Sequence, residues 1–142
     1  MDYRDYPDVD QCRKLTEFGF PKTELAYSST ERDDQIYDAG ECEFIKRSAV
    51  FLRHPEPKFL VCPSVPELKS VIPEKIPIKE EPGDFWELEI FQVDGKFVAM
   101  YVWRDVDEFI MDCRADTLAK ALADLAIVLA DKGYVVFHNN HP

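Results

Sequence analysis

Long apolar runs are missing from this chain. The longest, residues 121–130, is broken by Asp124, whereas a bilayer span takes about 20 consecutive apolar residues, so no membrane segment is expected. Glycine is scarce, and none of the five falls in G-x-G-x-x-G or a P-loop, which leaves out the usual backbone cradles for phosphate. No two cysteines have C-x-x-C spacing, and no G-x-S-x-G elbow surrounds the hydroxyls of Ser28, Ser29 and Thr30. Positive charge is short as well. Against 28 Asp and Glu stand 17 Lys and Arg, and the net charge of −11 disfavours direct binding to nucleic acid or anionic lipid. Residues 1–10 carry neither a basic n-region nor an apolar h-region, so the expected setting is cytoplasmic.

What is present is enough for a core. The 142 residues are 46% hydrophobic and 13% aromatic, which suits one domain over 1–142 and excludes a disordered tail. Cys12, Cys42, Cys62 and Cys113 are dispersed, and a core of this size needs no covalent staples. All four are expected unbridged, as small buried thiols.

Capping signals place the helices. Asp8 with Gln11 three residues later opens a helix over about 9–18, with Val9, Cys12, Leu15 and Phe18 on one face and Gly19 as its stop. Ser64 and Glu67 form a second capping box, followed by Val65, Leu68 and Ile72 as a buried stripe and Pro73 as the end. Asp116 is expected to cap a long helix to about residue 131, with Leu118, Ala121, Leu122, Leu125, Val128 and Leu129 inward and Gly133 closing it. Short strands are expected at 24–28, 35–38 and 134–137, and residues 58–62 read as a short apolar run leading into the second helix. Residues 42–53 fit a helix through Phe44, Ile45, Ala49 and Leu52 as well as a strand over 49–52, with the balance towards strand. Residues 73–83, dense in proline and charge, read as an excursion rather than a domain boundary.

The strongest local signal is Asp94-Gly95 between two apolar strands, which favours a two-residue type I′ hairpin turn. That turn sets Gln92 opposite Phe97, Ile90 opposite Ala99, Leu88 opposite Tyr101 and Trp86 opposite Trp103, all on one face. The other face then carries Glu87, Glu89, Phe91 and Val93 against Val102, Met100, Val98 and Lys96. With a third strand at about 108–114, residues 85–114 form a β-meander. The fold class follows as α+β, a mostly antiparallel sheet with helices packed on it.

Chemistry-bearing residues are few. His138 and His141 bracket two asparagines near the chain end, and His54 sits in a His-Pro-Glu-Pro loop; neither arrangement makes a metal or general-base site by itself. Glu87 and Glu89 project from one strand face about 6–7 Å apart, a spacing that an acid/base pair or a divalent cation can use. Trp86, Tyr101 and Trp103 gather at one end of the hairpin, as a binding hot spot or ligand floor if they are not simply core. These five are the candidate binding residues. No catalytic residue, metal or cofactor is expected, and the balance is against an enzyme.

Three segments carry a resemblance: residues 14–21 (KLTEFGFP), residues 62–73 beginning CPSVPEL, and residues 115–133 from Ala115-Asp116-Thr117 to Lys132-Gly133. In this order they resemble a family of small uncharacterised proteins encoded by bacterial prophages and mobile elements. That family shares an opening helix end like "LGFP", a proline-bounded helix and a closing acidic-capped helix. The resemblance implies a bacterial or phage cytoplasmic setting and supplies no functional residues.

The leading functional expectation is a non-enzymatic acidic interaction protein, an accessory or inhibitory factor that binds a host protein. Its sharper form has carboxylates imitating a nucleic-acid backbone. The candidates are Asp2, Asp5, Asp8 and Asp10, then Glu31, Asp33 and Asp34, then Asp105, Asp107 and Glu108. The alternatives are a small-ligand or enzymatic domain using the Trp86, Tyr101 and Trp103 cluster with Glu87 and Glu89, and a structural homo-oligomer such as a dimer.

Overall fold

A computed structural model of the chain describes residues 5–28, 36–38 and 59–137. Helix α1 spans Val9–Glu17 and begins as its sequence dictates: the Asp8 carboxylate accepts from Gln11 N at 2.8 Å, and Asp8 N donates back to Gln11 Oε1 at 3.0 Å. Its end is set by Gly19, which takes φ +84° so that Gly19 N reaches Thr16 O and Phe20 N reaches Leu15 O. That paired closure needs a left-handed residue, which glycine adopts without steric cost. One expectation fails here. Phe18 is the C-cap and exposed, and Phe20, swung inward beyond the reversal, is buried in its place.

Strands β1 (Leu25–Ser28), β2 (Ile36–Asp38) and β3 (Phe59–Cys62) form one antiparallel sheet in the order β2-β1-β3. Leu25 pairs with Asp38 on one side and Cys62 on the other. Two N–H groups of β3 are met by hydroxyls. Val61 N donates to Thr16 Oγ1 at 2.9 Å, and Cys62 N donates to Thr23 Oγ1 at 2.9 Å. Residues 42–53, for which strand and helix competed, lie outside the described residues.

Helix α2 (Val65–Val71) carries the expected Ser64–Glu67 capping box, and the same Glu67 accepts from Glu24 N at 3.2 Å. Ile72 is extended at ψ 117° because Pro73 behind it disfavours helical geometry. The excursion at 73–83 is more than a loop. Its residues Lys75–Pro77 form strand β4, with Ile76 opposite Trp86 and with Ile76 and Ile78 buried. The alternation Lys-Ile-Pro-Ile has the period of a strand, and proline is acceptable because β4 is an edge.

The meander is built from β5 (Phe85–Val93), β6 (Lys96–Trp103) and β7 (Glu108–Ala115), and the sheet order is β4-β5-β6-β7. Asp94 and Gly95 both take positive φ, 51° and 78°, as a type I′ turn requires. The register follows: Gln92 opposite Phe97, Ile90 opposite Ala99, Leu88 opposite Tyr101. Between β6 and β7 the pairing passes from Ala99–Cys113 to Tyr101–Ile110, leaving two residues of β7 against Met100. Met111 sits in this bulge with φ 56° and packs, like its neighbour Ile110, against the core.

Helix α3 (Leu118–Asp131) lies over the Ala99, Tyr101 and Cys113 face of this sheet, burying Ala121, Leu122, Leu125, Ala126 and Leu129. Its N-cap is Thr117, whose hydroxyl accepts from Lys120 N at 3.2 Å, rather than Asp116. Asp116 stands one residue too early and pairs with Lys96 instead at 3.1 Å. Residues 134–137 make no strand. Val135 and Phe137 pack their side chains on the core, with the Phe137 ring 5.1 Å from that of Phe20. The architecture is α+β.

Candidate functional site

The hairpin end that sequence singled out divides into two faces with different characters. On the α3 side, Trp86 and Trp103 meet edge-on, with ring centroids 5.8 Å apart and planes at 72°. This is the cross-strand contact that the Asp94-Gly95 register requires. The Trp103 indole N–H is buried and has no hydrogen-bond partner among the described residues. Tyr101 does not join an accessible cluster. It is fully buried, and its hydroxyl donates to Pro73 O at 2.6 Å. Burial raises the phenol's pKa well above its usual value, so it acts as a neutral strut between β6 and the end of α2.

Glu87 and Glu89 project from the opposite face and are already occupied. Arg104 places Nε 2.9 Å from Glu87 Oε2 and Nη2 2.6 Å from Glu89 Oε1, and Lys75 Nζ approaches Glu87 Oε1 at 3.8 Å. The same ammonium lies 5.6 Å from the centre of the Phe85 ring. A guanidinium bridging both carboxylates compensates the charge that an acid/base pair or a cation site would use. Sequence reasoning missed Arg104. The signal was its parity: two residues beyond Val102, it continues the face on which both glutamates stand.

Beside this ladder is an open cavity of about 230 Å³, lined by Asp84, Phe85, Glu87, Trp103, Arg104 and Asp105. A second, larger cleft of about 620 Å³ lies between α1, β7 and α3. Asp8, Asp10, Asp112 and Asp124 line it together with Lys14 and Arg114. Of the acidic residues expected to converge, Asp8 and Asp10 do so here, joined by Asp112 and Asp124 from distant sequence. Much of that charge is engaged internally. Asp10 pairs with Arg13 at 2.8 Å, Asp112 with Arg114 at 3.1 Å, and Asp124 accepts from Gln11 Nε2 at 2.7 Å. Asp105 lines the smaller cavity, so it does not share the cleft. Glu31, Asp33 and Asp34 lie outside the described residues, as do Asp2, His54, His138 and His141.

Between the two ion-paired borders, the glutamate face of the sheet is apolar. Val98 and Met100 at its middle are buried, while Phe91 and Phe109 remain 36% and 58% exposed and Val93 is exposed at the turn end. Phe91 pairs with Val98 and Phe109 with Val102, so the apolar side chains run diagonally across β5, β6 and β7. Among the described residues, no group of three or more His, Cys, Asp and Glu is placed to hold a metal ion, and no helix is long and apolar enough to cross a membrane. Comparison with protein-family models, curated proteins and solved structures gives no match to this chain.

Proposed function

We propose that the chain is a non-enzymatic interaction protein that docks a basic host protein against the glutamate face of its four-stranded sheet. In kind it is an accessory or inhibitory factor of the phage or mobile-element type. The observation that carries the reading is the diagonal of exposed apolar side chains, Phe91, Val93 and Phe109, on a face where charges are neutralised in pairs. Phe91 and Phe109 stand exposed on either side of the buried Val98 and Met100, and exposed aromatic residues are the commonest anchors of protein-binding surfaces. The neighbouring edge is a poor alternative. Strand β7 carries a bulge at Met111 and a charged pair at Asp112 and Arg114, devices that discourage strand addition. Charge selects the partner. Pairing two copies doubles a net charge of −11, whereas a basic protein relieves it.

The test is capture from a bacterial lysate with the native chain and with Phe109→Asp, at about 50 and 200 mM salt, with sedimentation in parallel. The reading requires a discrete basic partner that the native chain holds, that Phe109→Asp loses while keeping its circular dichroism, and that salt weakens. Retention of the same partner by the folded variant would overturn it. So would a native dimer that Phe109→Asp converts to a monomer, the result a homo-oligomer would give.

One observation favours the small-ligand reading. Among the described residues, the buried Trp103 N–H lacks an acceptor, and Trp103 lines a cavity of about 230 Å³. A ligand carrying a carbonyl or carboxylate there would change the fluorescence of the Trp86–Trp103 pair. A screen of such compounds that leaves the emission unchanged would remove this alternative.

A further inference from the structure

Cys12 and Cys62 are 50 positions apart in sequence, yet the fold sets them against one another. Both are wholly buried and share a small cluster with Tyr27 and Leu60, separate from the α3 core. Two backbone ties fix the approach of α1 to β3. One turn beyond Cys12 on the helix, Thr16 Oγ1 donates to Cys12 O at 2.7 Å and accepts from Val61 N, the residue before Cys62. Cys62 N is held in turn by Thr23 Oγ1. The third described cysteine, Cys113, belongs to the other cluster, beneath α3.

We propose that Cys12 and Cys62 are an oxidation-sensitive pair that closes to a disulfide when the protein meets a hydroperoxide, stapling α1 to β3. The chemistry balances with hydrogen peroxide as the oxidant. One sulfur, as thiolate, attacks a peroxide oxygen; the O–O bond breaks, and the departing hydroxide takes up the proton the thiol released, giving water and a sulfenic acid. The second sulfur then displaces the sulfenic hydroxyl, which leaves as a second water with the remaining thiol proton. Two thiols lose two electrons, and one peroxide is reduced to two waters. In the reduced protein, the neighbouring Cys62 thiol and burial both hold the Cys12 thiol protonated, so the attacking thiolate forms only when α1 opens from β3 and lets the oxidant in. Closure ties down a helix that also grips α3, because Gln11 Nε2 donates to Lys120 O and to Asp124.

The experiment treats the intact native chain with hydrogen peroxide and maps disulfides by non-reducing digestion and mass spectrometry. Titratable thiols should fall from four to two, a peptide joining Cys12 to Cys62 should appear, and dithiothreitol should reverse both changes. Thermal unfolding should move to higher temperature on oxidation. The Cys42→Ser, Cys113→Ser double variant keeps the pair and should close in the same way, whether or not Cys12→Ser folds. Persistence of four thiols, a disulfide mapped to Cys42 or Cys113, or sulfinic acid at Cys12 or Cys62 without a bridge would overturn the proposal.

Discussion

The two sheets of this protein are held by different means. The meander and α3 are joined by continuous backbone ladders and by an aliphatic core in which Leu122, Leu125 and Leu129 meet Ala99 and Tyr101. Among the described residues, the region of α1 and β1–β3 has a small buried cluster of its own and sends Leu15 and Phe20 into the α3 core, and single polar side chains do much of the remaining joining. Gln11 reaches α3, Thr16 and Thr23 hold β3, and Glu67 holds the start of β1 through Glu24. Redundancy is the difference. A ladder that loses one contact keeps its neighbours, whereas Thr23 Oγ1 both donates to Leu25 O and accepts from Cys62 N, so one hydroxyl serves two strands.

The largest expected effect tests the redundant side at its most crowded point. Leu122→Ala removes a fully buried side chain from beneath α3 and should cost about 2–5 kcal/mol, read from the urea midpoint. Alanines already crowd the helix on both sides at Ala121 and Ala123, which limits collapse into the void. A loss under about 1 kcal/mol would mean that this core is looser than its burial indicates.

Alkaline unfolding samples both regions at once. Burial, the first cause, together with the carboxylates of Asp124 and Asp112, pushes the Cys113 thiol up to about 12, and Cys12 is raised by the neighbouring Cys62 thiol and by burial. Tyr101 is raised by burial. For groups whose folded pKa exceeds the unfolded value, the folded state retains protons that the unfolded chain releases. Their contribution is full below the unfolded pKa and is lost as pH rises towards the folded one. Unfolded thiols titrate near 8.5, so by pH 10 Cys12 and Cys113 should each have cost about 2 kcal/mol of stability. Urea midpoints from pH 7 to 10.5 should fall, and Cys113→Ala should flatten part of that fall. A midpoint independent of pH would show the thiols to be hydrated.

Legibility in the sequence divides along the same line. Short-range signals carried over: Asp8 with Gln11, Ser64 with Glu67, and Asp94-Gly95 each specify a structure within four residues, and all three stand as read. Apart from the cap of α3, which falls on Thr117 one residue after Asp116, what failed depended on neighbours distant in sequence. Strand β4 exists because β5 offers an edge to Lys75–Pro77, and Phe20 outcompetes Phe18 because Gly19 turns it towards Leu15 and Phe137. The candidate site shows the same split. Local register was sufficient to bring Trp86 to Trp103, but the burial of Tyr101 needs Pro73, and the neutralisation of the glutamates needs Arg104.

Thr23→Val sharpens the comparison from the polar side. It keeps the shape of a buried residue while removing the acceptor for Cys62 N and the donor to Leu25 O. An unsatisfied buried N–H costs about 1–3 kcal/mol, and hydrogen exchange should locate the loss at Cys62 rather than in the meander. Uniform weakening across β5–β7 would argue that the two sheets unfold as one unit, and the contrast drawn between them would fail.

The smallest effect is expected where the ion pairs are most numerous. Replacing Glu87 and Glu89 together by glutamine removes both partners of Arg104 and the weaker contact with Lys75. These side chains are about a third exposed and the Arg104 side chain is 66% exposed, so water and salt already screen the attraction. Exposed pairs of this kind contribute about 0–1 kcal/mol, and the freed guanidinium can be hydrated where it stands. The double variant should therefore unfold within about 1 kcal/mol of the native chain, with the difference shrinking further at high salt. A loss beyond about 2 kcal/mol would place the ladder among the structural supports of the meander, as costly to remove as a core side chain. A variant of native stability that fails to hold the partner retained by the native chain would move the docking surface from the apolar diagonal to its charged border.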